Sequence, residues 1–332
     1  MIYTEPAAAA AAFSARLAQA RRVLLLTHVN PDGDAVGSLL GAAHALRDSG
    51  REPICLLASP PPSYALTLPG AEWLSVYRRG EPLPAADLIW MLDTATPARV
   101  GAIAEEHAAT LLVGPLVITD HHVTNEGGGQ LNLIDPSAAS NADLLFRLLR
   151  AVGLPVSPAA ATCLLMGTVT DTQSFQTSST TPQTLRTTAE ILEAGADLQA
   201  VIRAVYLSVP TSTVRLTGMA LGELKREGPL VWATVTQAQM AAAGAGDEAT
   251  DDTMKRMQQV EGARVCALLK ERYDGTVKLS LRSVPGINVA AIAQTWGGGG
   301  HAQAAGATMA MGLAEATAAV LPLLRAALAE QG

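Results

Sequence analysis

Leu116-Val117-Ile118-Thr119-Asp120-His121-His122 joins an apolar run directly to a carboxylate and two imidazoles. The run reads as a buried strand, and polar groups crowded at the end of such a strand face a ligand. Only six histidines occur in 332 residues, so an adjacent pair stands out. The arrangement recurs along the chain. Leu24–Leu26 runs into Thr27-His28-Val29-Asn30-Pro31-Asp32-Gly33-Asp34, Leu88–Leu92 runs into Asp93, and Leu164–Thr170 runs into Asp171. Four apolar segments each deliver a His or Asp at their end. The pattern predicts one metal cluster built at one edge of a sheet.

Around these segments the first half alternates short apolar runs with helical periodicity. Strands are expected over 22–29, 53–58, 87–93, 116–120 and 131–135, and helices over 6–20, 33–49, 97–110, 141–152, 158–171, 182–194 and 198–206. Such alternation implies an α/β fold with a mostly parallel sheet covered by helices. Thr181 is placed to cap the helix that Pro182 opens and Gly195 ends. A connecting helix is expected over 212–226, closed by the turn Glu227-Gly228-Pro229. The pattern then changes to strands over 230–236, 263–271 and 277–283, the last two joined by the Tyr273-Asp274-Gly275 turn. Helices are expected over 252–260, 289–295 and 313–330, with a surface loop over 241–246. The domains are therefore drawn as 1–185, a helical connector 186–226, and a smaller mixed α/β domain 227–332.

Apolar residues make up 49% of the chain and aromatics 4%, so Ala, Leu and Val must fill the core. The net charge is −7 and the pI near 5.4. Proteins that grip long nucleic acid are usually basic, so this balance argues against long DNA or RNA and leaves room for a short oligonucleotide or nucleotide. Cys55, Cys163 and Cys266 are few and widely spaced, and read as reduced core residues of a cytoplasmic protein. Neither a signal peptide nor a membrane span is expected.

His28, Asp32, Asp34, Asp93, His121 and Asp171 together offer four carboxylates and two imidazoles. Four carboxylates packed together would repel one another, and two divalent ions would neutralise them. Such a donor set suits manganese or magnesium first, then zinc or cobalt. Asp32 and Asp34 flank a glycine after Pro31, so a tight turn can aim both inward, and the amides of 34–36 are expected to assist an anionic ligand. Taken singly, Asn-Pro-Asp-Gly is an ordinary turn, Asp93 and Asp171 could cap a following element, and His-His could be a satisfied pair. Their joint placement argues for a site. His44 and His107 lie on helical faces and read as structural or solvated.

Thr27–Asp34, Leu92–Ala95, Asp120–Asn125 and Thr170–Phe175 resemble the four motifs of the DHH phosphoesterase superfamily. Gly297–Gly306, reading GGGGHAQAAG, resembles the glycine-rich signature of the DHHA1 domain, and Arg282 and Asn288-Val289 fit the same domain. The resemblance spans nearly the whole chain and is closest to the small bacterial oligoribonuclease and pAp-phosphatase branch. It implies a DHH catalytic domain and a DHHA1 substrate-binding domain facing each other across a cleft. It also implies two divalent ions, Mn²⁺ first with Mg²⁺ or Co²⁺ as alternatives. His28, Asp32 and Asp93 would hold one, and Asp34, Asp93, His121 and Asp171 the other, with Asp93 bridging. His122 would contact the phosphate or protonate the leaving oxygen. Asp120 and Asn30 would support the ligands from behind.

In the second domain, Gly298, Gly299 and Gly300 would let backbone amides approach a phosphate, with Arg282 and His301 as side-chain donors. Composition alone would also allow Gly297–Gly300 to be a linker, but His301 and Ala304-Ala305-Gly306 argue for a packed loop. Two departures from the branch stand out. Gln173 occupies a place where glycine is common, and 138–143 one where a Ser/Thr-rich turn and Glu are common. The expected substrates are short RNA oligonucleotides and nucleotides, cut by a metal-dependent exonuclease and phosphatase. Membrane and long nucleic acid are not expected as partners, and a homodimer is allowed. The competing readings are hydrolysis of linear or cyclic di-adenylate dinucleotides and, from another class, a non-catalytic nucleotide-binding module.

Overall fold

A computed structural model describes residues 1–246 and 249–330, apart from the side chains of Leu112 and His301. It divides into two compact units, 1–208 and 209–332. The stretch 186–226 is split between them, so its first two helices pack with the first unit.

In the first unit the apolar runs become β1 (Ile2–Tyr3), β2 (Arg22–Leu26), β3 (Glu52–Leu57), β4 (Leu74–Val76), β5 (Leu88–Leu92), β6 (Leu116–Asp120) and β7 (Leu131–Ile134). They form one sheet in the order β1-β7-β6-β5-β2-β3-β4, parallel throughout. Alternation divides the strands between two cores. Val23, Leu25, Leu88, Trp90, Leu92 and Val117 face one, while Leu24, Leu26, Ile89, Met91, Leu116 and Ile118 face the other. The runs read as continuously apolar because helices cover both faces. From β2 the chain proceeds outward to β3 and β4, and from β5 in the opposite direction to β6 and β7. The order reverses between β2 and β5, and the crevice beyond their carboxyl ends is where open α/β sheets place ligands.

The helices are α1 (Pro6–Ala18), α2 (Gly33–Asp48), α3 (Ala102–Val113), α4 (Asn141–Ala151), α5 (Pro158–Asp171), α6 (Pro182–Glu193) and α7 (Leu198–Tyr206). The predicted helix over 97–110 is divided. Pro97–Val100 is a 3-10 turn, Gly101 takes φ 60°, and α3 follows. Gly33, Gly37 and Gly41 lie four apart, so they line one side of α2. A Cβ at Gly37 would collide with the carbonyl oxygen of Cys163 and stand 2.9 Å from the amide nitrogen of Gly167. A Cβ at Gly41 would stand 2.6 Å from Leu164. Gly167 in turn has no room for a Cβ beside Ala142 and the Asp34 carboxylate. Backbone therefore meets backbone between α2 and α5, and the ends carrying Asp34 and Asp171 are held together.

The second unit opens with α8 (Thr211–Gly222). The predicted connector helix stops there, because Lys225–Glu227 pairs as a strand, β8, with β9 (Leu230–Val235) across the Gly228-Pro229 turn. Then come α9 (Gln237–Ala243), α10 (Thr250–Gln258), β10 (Val265–Glu271), β11 (Val277–Ser283), α11 (Val289–Gln294), β12 (Gly299–His301), β13 (Ala304–Met309) and α12 (Leu313–Ala329). The sheet order is β12-β13-β11-β10-β9-β8, mixed because only β9 and β10 run parallel. Two sequence expectations fail here. The loop expected over 241–246 begins as α9, since Thr236 and Gln239 form a capping box and alanine favours helix. The glycine run is also not a loop, because its second half is the edge strand β12.

The glycine contact has a measurable cost. Gly37→Ala should destabilise the protein by about 1–3 kcal/mol through overpacking. Gly218→Ala, in α8 with open space around it, should be neutral or stabilise by roughly 0.5–1 kcal/mol. Denaturant titration of both variants checks the contrast, and equal effects would contradict the close approach.

Candidate metal centre

β2, β5 and β6 are neighbours in the sheet, so their carboxyl ends bring three motifs to one place. β2 leads to His28, Asp32 and Asp34, β5 to Asp93, and β6 to Asp120, His121 and His122. Asp171, the last residue of α5, arrives from the helical layer. His28 Nε2 lies 3.6 Å from Asp93 Oδ2, and His121 Nε2 lies 3.4 Å from Asp93 Oδ1. His121 Nε2 is also 3.8 Å from Asp34 Oδ2 and 3.7 Å from Asp171 Oδ2. His28, Asp32 and Asp93 form one group of donors, and Asp34, His121 and Asp171 another. The donor atoms of each group fall within 4.8 Å of one another. Asp93 and His121 link the groups.

Asp93 carries the clearest sign of a missing partner. Its side chain is 2% exposed, and its Oδ1 makes no hydrogen bond, with the His121 ring 3.4 Å away. A buried carboxylate oxygen without a donor is costly unless a cation faces it. Its backbone is also left-handed, with φ 54°. Such a conformation is uncommon outside glycine, with Asp and Asn its most frequent exceptions. The donor set fits a divalent metal centre on these grounds.

Other ligand candidates are oriented from behind. The amides of Asn141 and Ala142, in the first turn of α4, donate to the two oxygens of Asp34 at 2.6 and 2.9 Å. His28 Nδ1 lies 2.9 Å from the Val29 carbonyl and His121 Nδ1 3.4 Å from the Ala138 carbonyl, so each ring presents Nε2 to the cluster. Asp32 is exposed and caps α2, its Oδ1 accepting from the amides of Asp34 and Ala35, both at 3.0 Å. Those amides were expected to serve an anion. They are taken by Asp32 instead.

Asp120 is fully buried. It accepts from His122 Nδ1 at 2.8 Å and from Asn125 Nδ2 at 2.6 Å. Asn125 also donates to the Thr94 carbonyl, which ties the loop after β6 to the loop after β5. Asn125 lies within the Asp-His-His motif region, and nothing in its spacing singled it out. Asn30, expected as support, is exposed at φ 54°, and its amide donates to Ser59 Oγ at 2.6 Å. The supporting contacts come from Asp120, Asn125 and the α4 amides. Since the Nδ1 of His122 is committed to Asp120, its Nε2 is the atom left for chemistry, although Nδ1 also lies 3.7 Å from Asp93 Oδ1. His44 and His107 stand away from the cluster, bonded to the Pro69 and Glu81 carbonyls.

Protonation follows from this crowding. Burial disfavours the charged form of His121, yet Asp93, Asp34 and Asp171 push its pKa up to about 10. Burial raises Asp34 well above the carboxylate range and Asp171 to about 6. Burial would also raise Asp93, but His121 and His28 hold it below the ordinary value. Asp120 raises His122, against burial. The metal-free cluster thus carries protons where a cation would otherwise sit.

The remaining predicted residues lie in the second unit. Arg282 is half-buried on β11, paired in register with Cys266 and Ala304, and its Nη1 donates to the Leu281 carbonyl at 2.9 Å. A Cβ at Gly298 or Gly300 would run into the backbone of β13, whereas Gly299 faces open space. Packing alone therefore requires glycine at 298 and 300. The side chain of His301 lies outside the described residues. Cys55, Cys163 and Cys266 are buried free thiols, each pushed up by burial. Among the described residues no helix is long and apolar enough to cross a membrane.

Metal binding to this cluster should release protons at neutral pH, because His121 must become neutral and Asp34 ionised to act as ligands. Affinity should accordingly rise with pH across 6–8. Mn²⁺ titration calorimetry in two buffers of different ionisation enthalpy measures the release. Asp93→Ala should lower the metal bound per chain, whereas His122→Ala should leave it unchanged. Equal metal loss in the two variants would break this division.

Residues 22–168 match the model of the DHH family N-terminal domain, and residues 233–330 that of the DHHA1 domain. The chain is 36% identical to the bifunctional oligoribonuclease and PAP phosphatase NrnA of Thermus thermophilus, over 93% of this chain and 91% of that protein. It is 25% identical to the cyclic-di-AMP phosphodiesterase GdpP of Geobacillus thermodenitrificans, over 86% of this chain but 44% of that protein. The crystal structure of an exopolyphosphatase-related protein from Bacteroides fragilis superposes with a TM-score of 0.88 at 25% identity, covering 97% of this chain and 96% of that one. With both domain models in order and an end-to-end relative above 30% identity, this chain belongs to the DHH/DHHA1 phosphoesterase family.

Proposed function

We propose that this protein is a two-metal phosphoesterase that hydrolyses short oligoribonucleotides to mononucleotides and converts 3′-phosphoadenosine 5′-phosphate to AMP. The observation that carries the phosphoester chemistry is the Asp93-centred cluster, with its buried oxygen lacking a donor. The substrate class rests on the likeness to the oligoribonuclease and PAP phosphatase, which runs the length of both chains. The likeness to the cyclic-dinucleotide enzyme covers less than half of that protein, so it supports the alternative more weakly.

His28, Asp32 and Asp93 would hold one divalent ion, and Asp34, Asp93, His121 and Asp171 the other, with Mn²⁺ as the first candidate. Bound ions would supply positive charge at the phosphoryl oxygens and activation of water. The protein's own groups do the rest. Asp93 and His121 fix the spacing of the two donor groups. The α4 amides orient Asp34. His122, with Nδ1–H held by Asp120, offers a proton from Nε2 to the leaving oxygen. In the second unit, Arg282, His301 and the amides near Gly299 would take the distal phosphate, where bidentate Arg contacts add directionality.

Two outcomes test the proposal. The net charge of −7 disfavours long nucleic acid, so turnover with Mn²⁺ should fall steeply beyond about five nucleotides. Raising salt from about 50 to 200 mM should lower turnover by less than about tenfold if two phosphates are contacted. A chain-length series from dimer to 24-mer at both salt concentrations decides this. Undiminished cutting of the 24-mer would favour a single-strand exonuclease. The second outcome concerns pH. A general acid must be protonated, so activity falls as pH rises through the pKa of His122. Asp120 raises that pKa, so Asp120→Asn should move the alkaline limb of the rate profile to lower pH. An unmoved limb would remove His122 from the acid role.

A further inference from the structure

Beyond the donor cluster, three side chains meet at its rim that neither metal binding nor proton transfer employs. After Asp171 the chain makes a left-handed turn through Gln173, Ser174 and Phe175, at φ 48°, 60° and 67°. Three successive left-handed residues, none of them glycine, cost on the order of 1–2 kcal/mol each. The turn serves two directions. Phe175 packs inward against the main core, while Ser174 Oγ reaches the phenol of Tyr206 at 2.9 Å. Tyr206 is the last residue of α7 and is 42% exposed.

Tyr64 sits in the 3-10 turn Ser63–Thr67 and packs half-buried on the same core. α7 packs against this turn. The Tyr64 hydroxyl accepts from the backbone amide of Gly33, the neighbour of Asp32 in the chain. Tyr64 and Tyr206 are thus tied to the loops of two ligand candidates, Asp32 and Asp171. The chain has only five tyrosines, three phenylalanines and four tryptophans. Two of these twelve converge at the metal centre while keeping part of their surface open.

We propose that Tyr64 and Tyr206, braced by Ser174, seat the nucleobase next to the phosphate being cut. This rests on the nucleotide-hydrolase reading above and adds a positioning role for the first unit, which that reading left to metals and His122. Tyrosine faces accept any base by stacking, at about 1–3 kcal/mol per base. A subsite of this kind selects for a nucleoside over a bare phosphate and is tolerant of which base it holds.

The experiment measures affinity of the full chain for two probes with Ca²⁺ in place of the activating ion, so that turnover does not interfere. One probe is a ribodinucleotide carrying 2-aminopurine, and the other is the same dinucleotide with both bases removed. Tyr206→Ala should weaken the base-bearing probe by about 5- to 150-fold and leave the abasic one unchanged. Tyr206→Phe should retain most of the affinity. Tyr64→Leu should behave like Tyr206→Ala, and its melting temperature and metal content report whether it folds. If it does not fold, the exposed Tyr206 carries the test. Quenching of 2-aminopurine fluorescence on binding should disappear in Tyr206→Ala. Equal weakening of both probes, or of neither, overturns the subsite while wild-type binding leaves the hydrolase reading standing. A wild-type protein that binds neither probe overturns both.

Discussion

The contact on which the site depends is between the backbones of α2 and α5. A helix pair held by large side chains would stand 8–10 Å apart with some freedom to slide. Here Gly33, Gly37 and Gly41 let α2 sink against α5 until the Cys163 carbonyl and the Gly167 amide occupy the space of a side chain. Asp34 on the first turn of α2 and Asp171 at the end of α5 then have a fixed separation. The amides of α4 grip Asp34 from a third side. The sheet contributes the other half through strand adjacency, since β2, β5 and β6 need only be neighbours for His28, Asp93 and His121 to converge. Burial of so many like charges is unfavourable, so the cluster takes up protons that a divalent ion would displace.

Much of this is legible in the chain because burial and chemistry coincide at strand ends. A continuous apolar run must be covered on both faces, and the polar residue ending it has only the crevice to enter. That reasoning finds Asp93 and His121 without tertiary information. It also points to a mostly parallel sheet, since alternating strands and helices suit crossover connections. Asp171 belongs to the same logic on a helix, whose bounds Pro158 and the Thr172 cap make plain.

What stays hidden is decided by partners far away in sequence. Asn125 looks like any polar loop residue until Asp120 and the Thr94 carbonyl are placed beside it. Asn30 stands in a motif full of ligands yet faces solvent. Pairing across a turn also overrides local propensity. Lys225–Glu227 has helical composition, but Gly228 and Pro229 fold it back on β9. In the glycine run, Gly298 and Gly300 owe their identity to the backbone of β13, a contact that composition would mistake for flexibility.

The left-handed backbone of Asp93 shapes how this protein can change over evolutionary time. At φ 54° most side chains are strained, and only glycine, asparagine and aspartate take the conformation readily. Asparagine is one nucleotide change away in the genetic code and nearly isosteric. It would relieve the electrostatic load of the cluster while ending its appetite for cations. A lineage released from selection for hydrolysis thus has a short, stabilising path to a folded binding protein.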